Sequence, residues 1–252
     1  MDGRVAVVTG AGRGIGRATA LALAARGARV LGVSRTESEL AALAAEAPVE
    51  VLTESVATEE GCERVIAEAR RRLGPVEILV LNAGIGSGHE RAIWGQDTEV
   101  WRETMAVNLD GPFFLTRLAA ADMKERGWGR IVMVSSTSGE LGAPRTSAYT
   151  ASKHGLMGLM RAVAQDIGPF GATCNAVLPG WVRTEMAERS ARLEAERRGV
   201  TVDEVWAERA ATYPANRVVT AEEIAATVAF LASDEASGIN AEGITVALGA
   251  PW

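Results

Sequence analysis

A tyrosine and a lysine stand four residues apart in the sequence, at Tyr149 and Lys153. In a helix, that spacing places both side chains on one face. A free phenol titrates near pH ~10, and an adjacent ammonium favours the phenolate, so the pair could act as a general acid or base. The only other lysine is Lys124. On its own, such a pair is more typical of a helix surface than of a catalytic site.

A serine provides a third polar group for this chemistry. Ser136 follows the apolar run Ile131 to Val134, and a position just after a strand would hold its hydroxyl at the edge of a sheet. Ser135 and Ser138 are alternatives, and any of the three could instead cap the strand end or the next turn. We choose Ser136 by its spacing.

A glycine-rich turn follows the first apolar run and precedes a helical pattern. Residues without a Cβ let the backbone approach a pyrophosphate, and the free N–H groups of a helix N-terminus can bind it. A tight structural turn is the alternative, but the position in the first βα unit favours a dinucleotide cradle. The residues predicted to bind the cofactor here are Gly10, Gly12, Arg13, Gly14, Ile15 and Gly16.

The second apolar run ends at Ser34 and Arg35, where NAD-binding proteins carry an acid that accepts from the ribose 2′-hydroxyl. A carboxylate would repel a 2′-phosphate, whereas a guanidinium can bind it through two parallel N–H groups. Arg35, helped by Arg13, therefore favours NADP(H), with NAD(H) as the alternative. An ordinary solvated arginine is also compatible with this position.

Seven short runs rich in Val, Ile and Leu alternate with helical patterns. This alternation is typical of a parallel sheet covered on both faces by right-handed βαβ crossovers. We predict an α/β fold in which residues 1–252 form a single doubly wound Rossmann domain with a seven-stranded parallel sheet. The runs are Val5 to Val8, Val30 to Val33, Val49 to Leu52, Ile78 to Leu81, Ile131 to Val134, Cys174 to Leu178 and Ile244 to Val246.

Capping signals and one insertion complete the predicted fold. The segment 183–213 interrupts the alternation with charged helical sequence, and we interpret it as a helical substrate lid rather than as a second domain. Three Thr–Glu pairs have the spacing of a capping box, which predicts helix starts. They are Thr36 with Glu39, Thr201 with Glu204, and Thr220 with Glu223.

Composition argues against several classes of function. A net charge of −6 over 252 residues does not provide the clustered basic excess that nucleic-acid binding needs. No leader pattern and no run long enough to cross a bilayer occurs, so we expect a cytoplasmic protein without a membrane partner. We expect Cys62 and Cys174 to be small buried residues. His89 and His154 show no ligand spacing, so no metal site is predicted.

Taken together, these features resemble the single-domain form of the short-chain dehydrogenase/reductase family across essentially the whole chain. The resemblance rests on Thr9-Gly10-x-x-x-Gly14-x-Gly16, Asn82-Ala83-Gly84, Asn108, Ser136, Tyr149-x-x-x-Lys153 and Pro179-Gly180. It implies an oxidoreductase that transfers a hydride between nicotinamide and a ketone or secondary alcohol.

The resemblance also implies a role for each matching residue. Tyr149 would be the general acid in reduction and the base in oxidation, while Ser136 polarises the substrate oxygen. Lys153 would lower the pKa of the phenol and hold the ribose, and Asn108 would keep a water of a proton relay. The further cofactor contacts implied are Asn82, Ala83 and Gly84 on the adenosine side, and Pro179, Gly180, Val182 and Thr184 at the nicotinamide.

The chain departs from the family pattern at two places. Ser55, with Val56 beside it, stands where the family usually has an aspartate that binds the adenine amine. The ending Val246 to Gly249 lacks the family's usual aspartate, and the terminal Trp252 could pack on its own chain, on another subunit or at that subunit's substrate pocket. Dehalogenating relatives, which lose the lysine and the glycine loop, and a non-catalytic NADP-binding sensor are less favoured alternatives.

The predicted substrate pocket has mostly apolar walls, which favour a hydrophobic or cyclic ketone, a β-keto ester or a 3-oxoacyl group. His89 lies near its mouth and could contact substrate. Gly127 and Phe170 occupy positions where carrier-protein reductases often have arginines, which argues against a carrier-protein substrate. The walls are the loop Ile85 to Trp94, the segment Gly139 to Thr146, and lid residues Trp181, Met186, Trp206 and Tyr213.

The predicted helix from Tyr149 to Ile167 carries small and apolar residues on more than the face needed for its own core. A second apolar face suggests a partner. By the family resemblance, that partner is another copy of the chain in a homotetramer, with a dimer as the lesser alternative. The residues are Ala151, Leu156, Met157, Leu159, Met160 and Val163.

Overall fold

The computed structural model of the protein describes residues 1–86 and 91–250. His89 and Trp252, for which a substrate contact and packing are predicted, lie outside these residues. The strands are β1 Val5–Thr9, β2 Arg29–Ser34, β3 Val49–Thr53, β4 Ile78–Leu81, β5 Gly129–Val134, β6 Ala172–Pro179 and β7 Gly243–Val246. The α-helices are α1 Gly14–Ala24, α2 Glu37–Glu46, α3 Glu59–Arg72, α4 Thr98–Met105, α5 Gly111–Arg126, α6 Ser147–Ile167, α7 Glu185–Arg198, α8 Val202–Ala211 and α9 Ala221–Leu231.

The described residues form a seven-stranded parallel sheet in the order β3-β2-β1-β4-β5-β6-β7. This arrangement confirms the predicted doubly wound α/β fold. The strand order reverses between β1 and β4, and ligands of such sheets bind at the carboxyl ends of the strands beside this reversal. The glycine turn after β1 and the segment after β4 meet there.

Two apolar layers hold the sheet, one on each face. Successive residues of β1 point to opposite layers: Val7 belongs to the cluster with α3, α5 and α6, and Val8 to the cluster with α1, α2 and α9. Because both faces are covered, the strands are apolar without alternation. The free cysteines Cys62 and Cys174 are buried in the first layer, as predicted.

Two of the three predicted capping boxes form. Thr201 and Thr220 accept from the backbone N–H three residues later, and the matching glutamates bond back to the threonine N–H groups. The helix start predicted at Thr36 is confirmed, since Thr36 is the N-cap residue of α2, but no capping box forms there: its side chain makes no capping bond and Glu39 forms an ion pair with Arg13 instead. Glu39 therefore pairs with Arg13, which is distant in sequence, rather than with Thr36.

The segment 183–213 contains α7 and α8, which pack together through their own small apolar cluster. Between α4 and α5 the chain forms a π-helical turn, Ala106–Asp110, that the sequence did not predict. π-Helical turns within α-helical segments are frequent at functional sites. Within the described part of the chain, no helix is both long and apolar enough to cross a membrane.

Candidate active site

The glycine turn after β1 is a close-fitting cradle. Gly10 and Gly14 have left-handed backbone angles, φ 66° and φ 53°, that side chains seldom adopt. A Cβ on Gly16 would lie 2.1 Å from the Gly10 carbonyl oxygen, so the first turn of α1 packs directly on the loop. Glycine is required here by backbone angle at two positions and by space at the third.

Thr9 and Asn82 connect this cradle to β4. The Asn82 side-chain amide donates to the Thr9 carbonyl at 2.9 Å, and the Thr9 hydroxyl accepts from the backbone N–H groups of Asn82 and Ala83, each at 3.0 Å. The Asn82 side chain therefore fixes the glycine turn, while Gly84 lies in the cleft beyond it.

Ser136, Tyr149 and Lys153 converge at the carboxyl end of β5. Tyr149 lies in the first turn of α6, and the Lys153 Nζ atom lies 5.6 Å from the centre of its ring. The ammonium donates to the carbonyl of Val134, the last residue of β5, at 2.9 Å. The Ser136 side chain lies close enough to Tyr149 to lower the pKa of the phenol. The strand end thus positions all three groups.

Of the three candidate serines, Ser136 is the one that lowers the pKa of Tyr149 within the part of the chain that the structure describes. The Ser135 hydroxyl is buried and donates to the Lys153 backbone carbonyl at 3.4 Å. The Ser138 backbone N–H donates to the Ser136 hydroxyl at 3.1 Å and orients it.

Burial controls the protonation of the tyrosine and the lysine. It raises the pKa of Tyr149, and Ser136 opposes this only in part. It lowers the pKa of Lys153 to about 8. Removal from water is thus the larger effect on the phenol, and the lowering of its pKa by Lys153 stays a prediction. At neutral pH the pair is a phenol beside an ammonium.

Asn108 lies in the π-helical turn and is buried. Its side-chain oxygen accepts from the Ile85 backbone N–H, and its amide donates to the Ile85 carbonyl, both at 2.8 Å. The same amide donates to the Ser152 hydroxyl at 3.0 Å. The side chain thus fixes the segment after β4 against α6. Gly84 lies between Asn108 and Lys153, since its Cβ would be 3.4 Å from the Asn108 Oδ1 atom and 3.7 Å from the Lys153 Nζ atom.

The two arginines proposed for the cofactor differ in their partners. Arg13 forms ion pairs with Glu39 at 3.0 Å and with Glu185 at the start of α7. Arg35 is exposed and has no ion-pair partner in the described part of the chain. Arg35 is therefore the available guanidinium, while Arg13 ties the glycine turn to the lid.

The other predicted cofactor residues differ in their contacts. Thr184 contacts the cradle, because a Cβ on Gly14 would lie 3.2 Å from its methyl group. Its hydroxyl also caps α7. Val56 and Val182 are buried in the apolar layers, and Ile15, in the first turn of α1, packs on the second layer. The remaining residues lie at strand ends or next to them: Ser34 and Ser55 accept from backbone N–H groups, Pro179 ends β6, and Gly180 donates to Val246.

A cleft of about 280 Å³ opens beside Tyr149, and the two predicted loop segments line it through Ile85, Gly86, Arg145 and Thr146. The lid differs from the prediction, because only Met186 of its four predicted residues lines the cleft. Trp206 and Tyr213 are buried in the lid and beneath it, and Tyr213 accepts from the Trp181 backbone N–H at 2.7 Å. The lining is largely polar: Arg13, Arg35, Gly84, Ile85, Gly86, Gln96, Val100, Glu103, Thr104, Arg145, Thr146, Ala148, Tyr149, Glu185, Met186 and Arg189.

Two further residues of the cleft, Gly86 and Arg145, fall within the predicted walls, although the sequence assigned them no individual role. A Cβ on Gly86 would lie 3.0 Å from two carbon atoms of the Tyr149 ring, so this glycine makes room for the phenol. Arg189 was missed, because its approach to the cleft depends on how the lid packs.

Comparisons with known proteins agree with this geometry. The family model described as enoyl-(acyl carrier protein) reductase matches residues 10–250. The 3-oxoacyl-[acyl-carrier-protein] reductase FabG of Escherichia coli is 36% identical over 247 residues, which cover 97% of this chain and 96% of the relative. The D-beta-hydroxybutyrate dehydrogenase of Cupriavidus necator is 34% identical over 242 residues, covering 94% of this chain and 93% of the relative.

Two solved structures superimpose over almost the whole chain. A variant of actinorhodin polyketide ketoreductase with NADPH has a TM-score of 0.93 at 34% identity and covers 98% of this chain and 96% of its own. Levodione reductase has a TM-score of 0.94 at 32% identity, and the match covers 99% of this chain and 98% of the reductase. These relatives and neighbours are named as reductases or dehydrogenases.

Proposed function

Because this chain belongs to the short-chain dehydrogenase/reductase family, whose members interconvert carbonyl and hydroxyl groups, we propose that it is an NADP(H)-dependent reductase of 3-oxo compounds. The observation that carries the proposal is the meeting of Ser136, Tyr149 and Lys153 beside a glycine cradle. Cofactor and carbonyl chemistry can then occur in one cleft.

The residues present fit a dinucleotide. Gly10, Gly14 and Gly16 leave no room for side chains where a pyrophosphate would approach, and α1 begins at Gly14 with free N–H groups. Arg35 supplies an unpaired guanidinium for a 2′-phosphate, which supports NADP(H) over NAD(H). The solved neighbour with NADPH is consistent with this choice. When bound, the nicotinamide supplies or accepts the hydride.

The protein side chains handle the proton. In reduction, the Tyr149 phenol gives its proton to the substrate oxygen, and its raised pKa keeps that proton in place at neutral pH. The Ser136 hydroxyl donates a hydrogen bond to the same oxygen and stabilises the charge that develops on it. Lys153 has three N–H donors, of which Val134 accepts one, so the others can bind ribose hydroxyls.

The relatives support a substrate with a carbonyl at the third carbon. Two of them are named for 3-oxoacyl and 3-hydroxybutyrate substrates, and a neighbour is named as a polyketide ketoreductase. A small 3-oxo acid, its ester or a 3-oxoacyl thioester is therefore the proposed class. The polar lining of the cleft argues against a purely hydrophobic ketone.

We also propose that the chain assembles as a homotetramer. The apolar face predicted for α6 is smaller than expected, because Leu156, Met157 and Met160 are buried in the chain's own core. Exposed apolar area remains on the neighbouring helices, where Trp101 is 38% and Phe113 is 45% exposed. Large apolar side chains on a helix surface favour association with another copy.

The proposal is tested by following NADPH and NADH oxidation with a panel of 3-oxo esters, diketones and cyclic ketones, for the wild type and for Arg35→Ser. We expect turnover of 3-oxo compounds that prefers NADPH. In Arg35→Ser, the KM for NADPH should rise about ten- to hundred-fold while the KM for NADH stays the same, because one charge-assisted contact is lost. NADPH binding without turnover of any carbonyl would instead favour a non-catalytic sensor.

A further inference from the structure

Two arginines lie at the substrate side of the cleft without an assigned role. Arg145 stands four residues before Tyr149 in the sequence, and Arg189 lies on α7 one turn after Met186, which packs near Gly86 and Tyr149. Both line the cleft, and neither has an ion-pair partner within residues 1–86 and 91–250. They are therefore positive groups beside the general acid whose charge is not offset by an ion pair within the described residues.

The backbone at Arg145 is unusual as well. Its φ is 69°, and it alone among the described non-glycine residues with positive φ lines the cleft. The next residue stabilises the turn, since the Thr146 hydroxyl donates to the Ala143 carbonyl at 2.7 Å and lies 2.9 Å from the Thr150 hydroxyl. Strained backbone of this kind is concentrated at functional sites.

The charges of the cleft do not cancel. Its lining includes four arginines and two glutamates, and the pair between Arg13 and Glu185 accounts for one of each. Arg35 is assigned to the cofactor phosphate. Two arginines then face a single glutamate, Glu103, in a protein whose net charge is −6. A cleft of opposite sign to the whole protein attracts anions and concentrates them.

We propose that the physiological substrate is a small ketone that carries an anionic group, a carboxylate or a phosphate, and that Arg145 and Arg189 bind this group. The inference rests on the proposed function and names the substrate class of the same site. A planar guanidinium matches either anion with two N–H donors. The anion remains unchanged in the reaction and orients the carbonyl toward Tyr149 and Ser136.

The test compares charged ketones with their neutral esters. The pairs are 3-oxobutanoate with its methyl ester and 2-oxopropylphosphonate with its dimethyl ester, each assayed with NADPH. The variants are Arg145→Asn, Arg189→Gln and both together. Asparagine is chosen because it tolerates the left-handed backbone better than most residues. Arg197→Gln is the matched control, because Arg197 is an exposed arginine of α7 that does not line the cleft.

We expect the wild type to prefer the charged member of one pair in kcat/KM by at least about tenfold. In each cleft variant, kcat/KM should fall about ten- to hundred-fold for the charged ketone, because a charge-assisted contact is removed. For the neutral ester, kcat/KM should fall less than about threefold. Arg197→Gln should behave as the wild type. Preference for 3-oxobutanoate assigns the carboxylate, and preference for the phosphonate assigns the phosphate.

Equal kcat/KM values for acids and esters, unchanged in the double variant, would overturn the anionic substrate while leaving the proposed reductase intact. Calorimetric titration of 3-hydroxybutanoate and of 2-hydroxypropylphosphonate in the presence of NADP⁺ adds a measurement that needs no turnover. Binding of either anion that is lost in the double variant, without turnover of any ketone, would keep the anion site and reject the reductase. Absence of both binding and turnover would reject both.

Discussion

Tyr149 and Lys153 share a helix face, but burial changes their acidity in opposite directions. The phenol holds its proton more tightly than a free phenol, and the ammonium releases its proton more easily than a free lysine. This combination suits reduction at neutral pH, where the acid is protonated and the cation is present. Oxidation needs the phenolate and is therefore favoured at higher pH.

The pKa of about 8 for Lys153 leads to a prediction for the pH dependence of reduction. The ammonium is present below about pH 8 and is lost above it. The kcat/KM for NADPH should therefore fall as the pH rises through about 8, because this parameter reports the ionisation of the free enzyme. Lys153→Met should remove that limb of the profile at a much lower rate. A wild-type profile that stays flat from pH 6 to pH 10 would contradict this assignment.

For single side chains of the site, the sequence predicts the positions that local backbone geometry determines. The spacing of Tyr149 and Lys153 sets their helix face, and the apolar run before Ser136 sets the strand end. The pKa directions were not predictable, because they depend on burial by the whole fold. Arg145 and Gly86 fall within the predicted walls of the pocket, but their individual contacts with the cleft and the phenol were not predictable for the same reason.

At the scale of elements, the seven apolar runs were predicted within about two residues, because a strand covered on both faces must be continuously apolar. The helix start at Thr36 shows the limit of a local motif. Its spacing matches a capping box, yet Glu39 lies closer to a guanidinium of the glycine turn and pairs with it.

Thr36 and Thr220 should therefore contribute differently to the stability of the protein. Thr220→Ala should destabilise the protein by about 1 kcal/mol, because the capping box at the start of α9 loses its side-chain acceptor. For a domain of this size, that corresponds to a fall in Tm of about 2–4 °C. Thr36→Ala is the matched control and should leave the Tm within about 1 °C. Equal losses in thermal unfolding would show that Thr36 also acts as a cap.

At the scale of the whole molecule, the sheet and its helices bring the cradle, the acid and the lid to one edge. The apolar wall predicted for the lid was wrong, because Trp206 and Tyr213 are buried and Trp181 packs edge-on against Trp206 outside the cleft. Sequence composition identifies apolar residues but not the direction in which an inserted helix pair places them. Charged residues of the lid line the cleft instead.

The proposed tetramer provides a prediction at the same scale. Phe113→Glu places a charge on an exposed apolar site of α5 and should reduce the mass in solution from tetramer to dimer or monomer, because a buried unpaired charge is costly at an interface. Leu193→Glu on the lid is the control and should leave the mass unchanged. Multi-angle light scattering at micromolar concentration measures both. A wild-type monomer would contradict the assembly.

In the proposed carbonyl reductase, the Tyr149 phenol is the proton donor. The most direct measurement is kcat/KM for a 3-oxo substrate in Tyr149→Phe, together with the Kd for NADPH from the quenching of protein fluorescence. We predict that kcat/KM falls by at least about 100-fold while the Kd changes by less than about threefold, because the variant loses only the acid. Turnover within about tenfold of the wild type in a variant that binds NADPH normally would contradict the account.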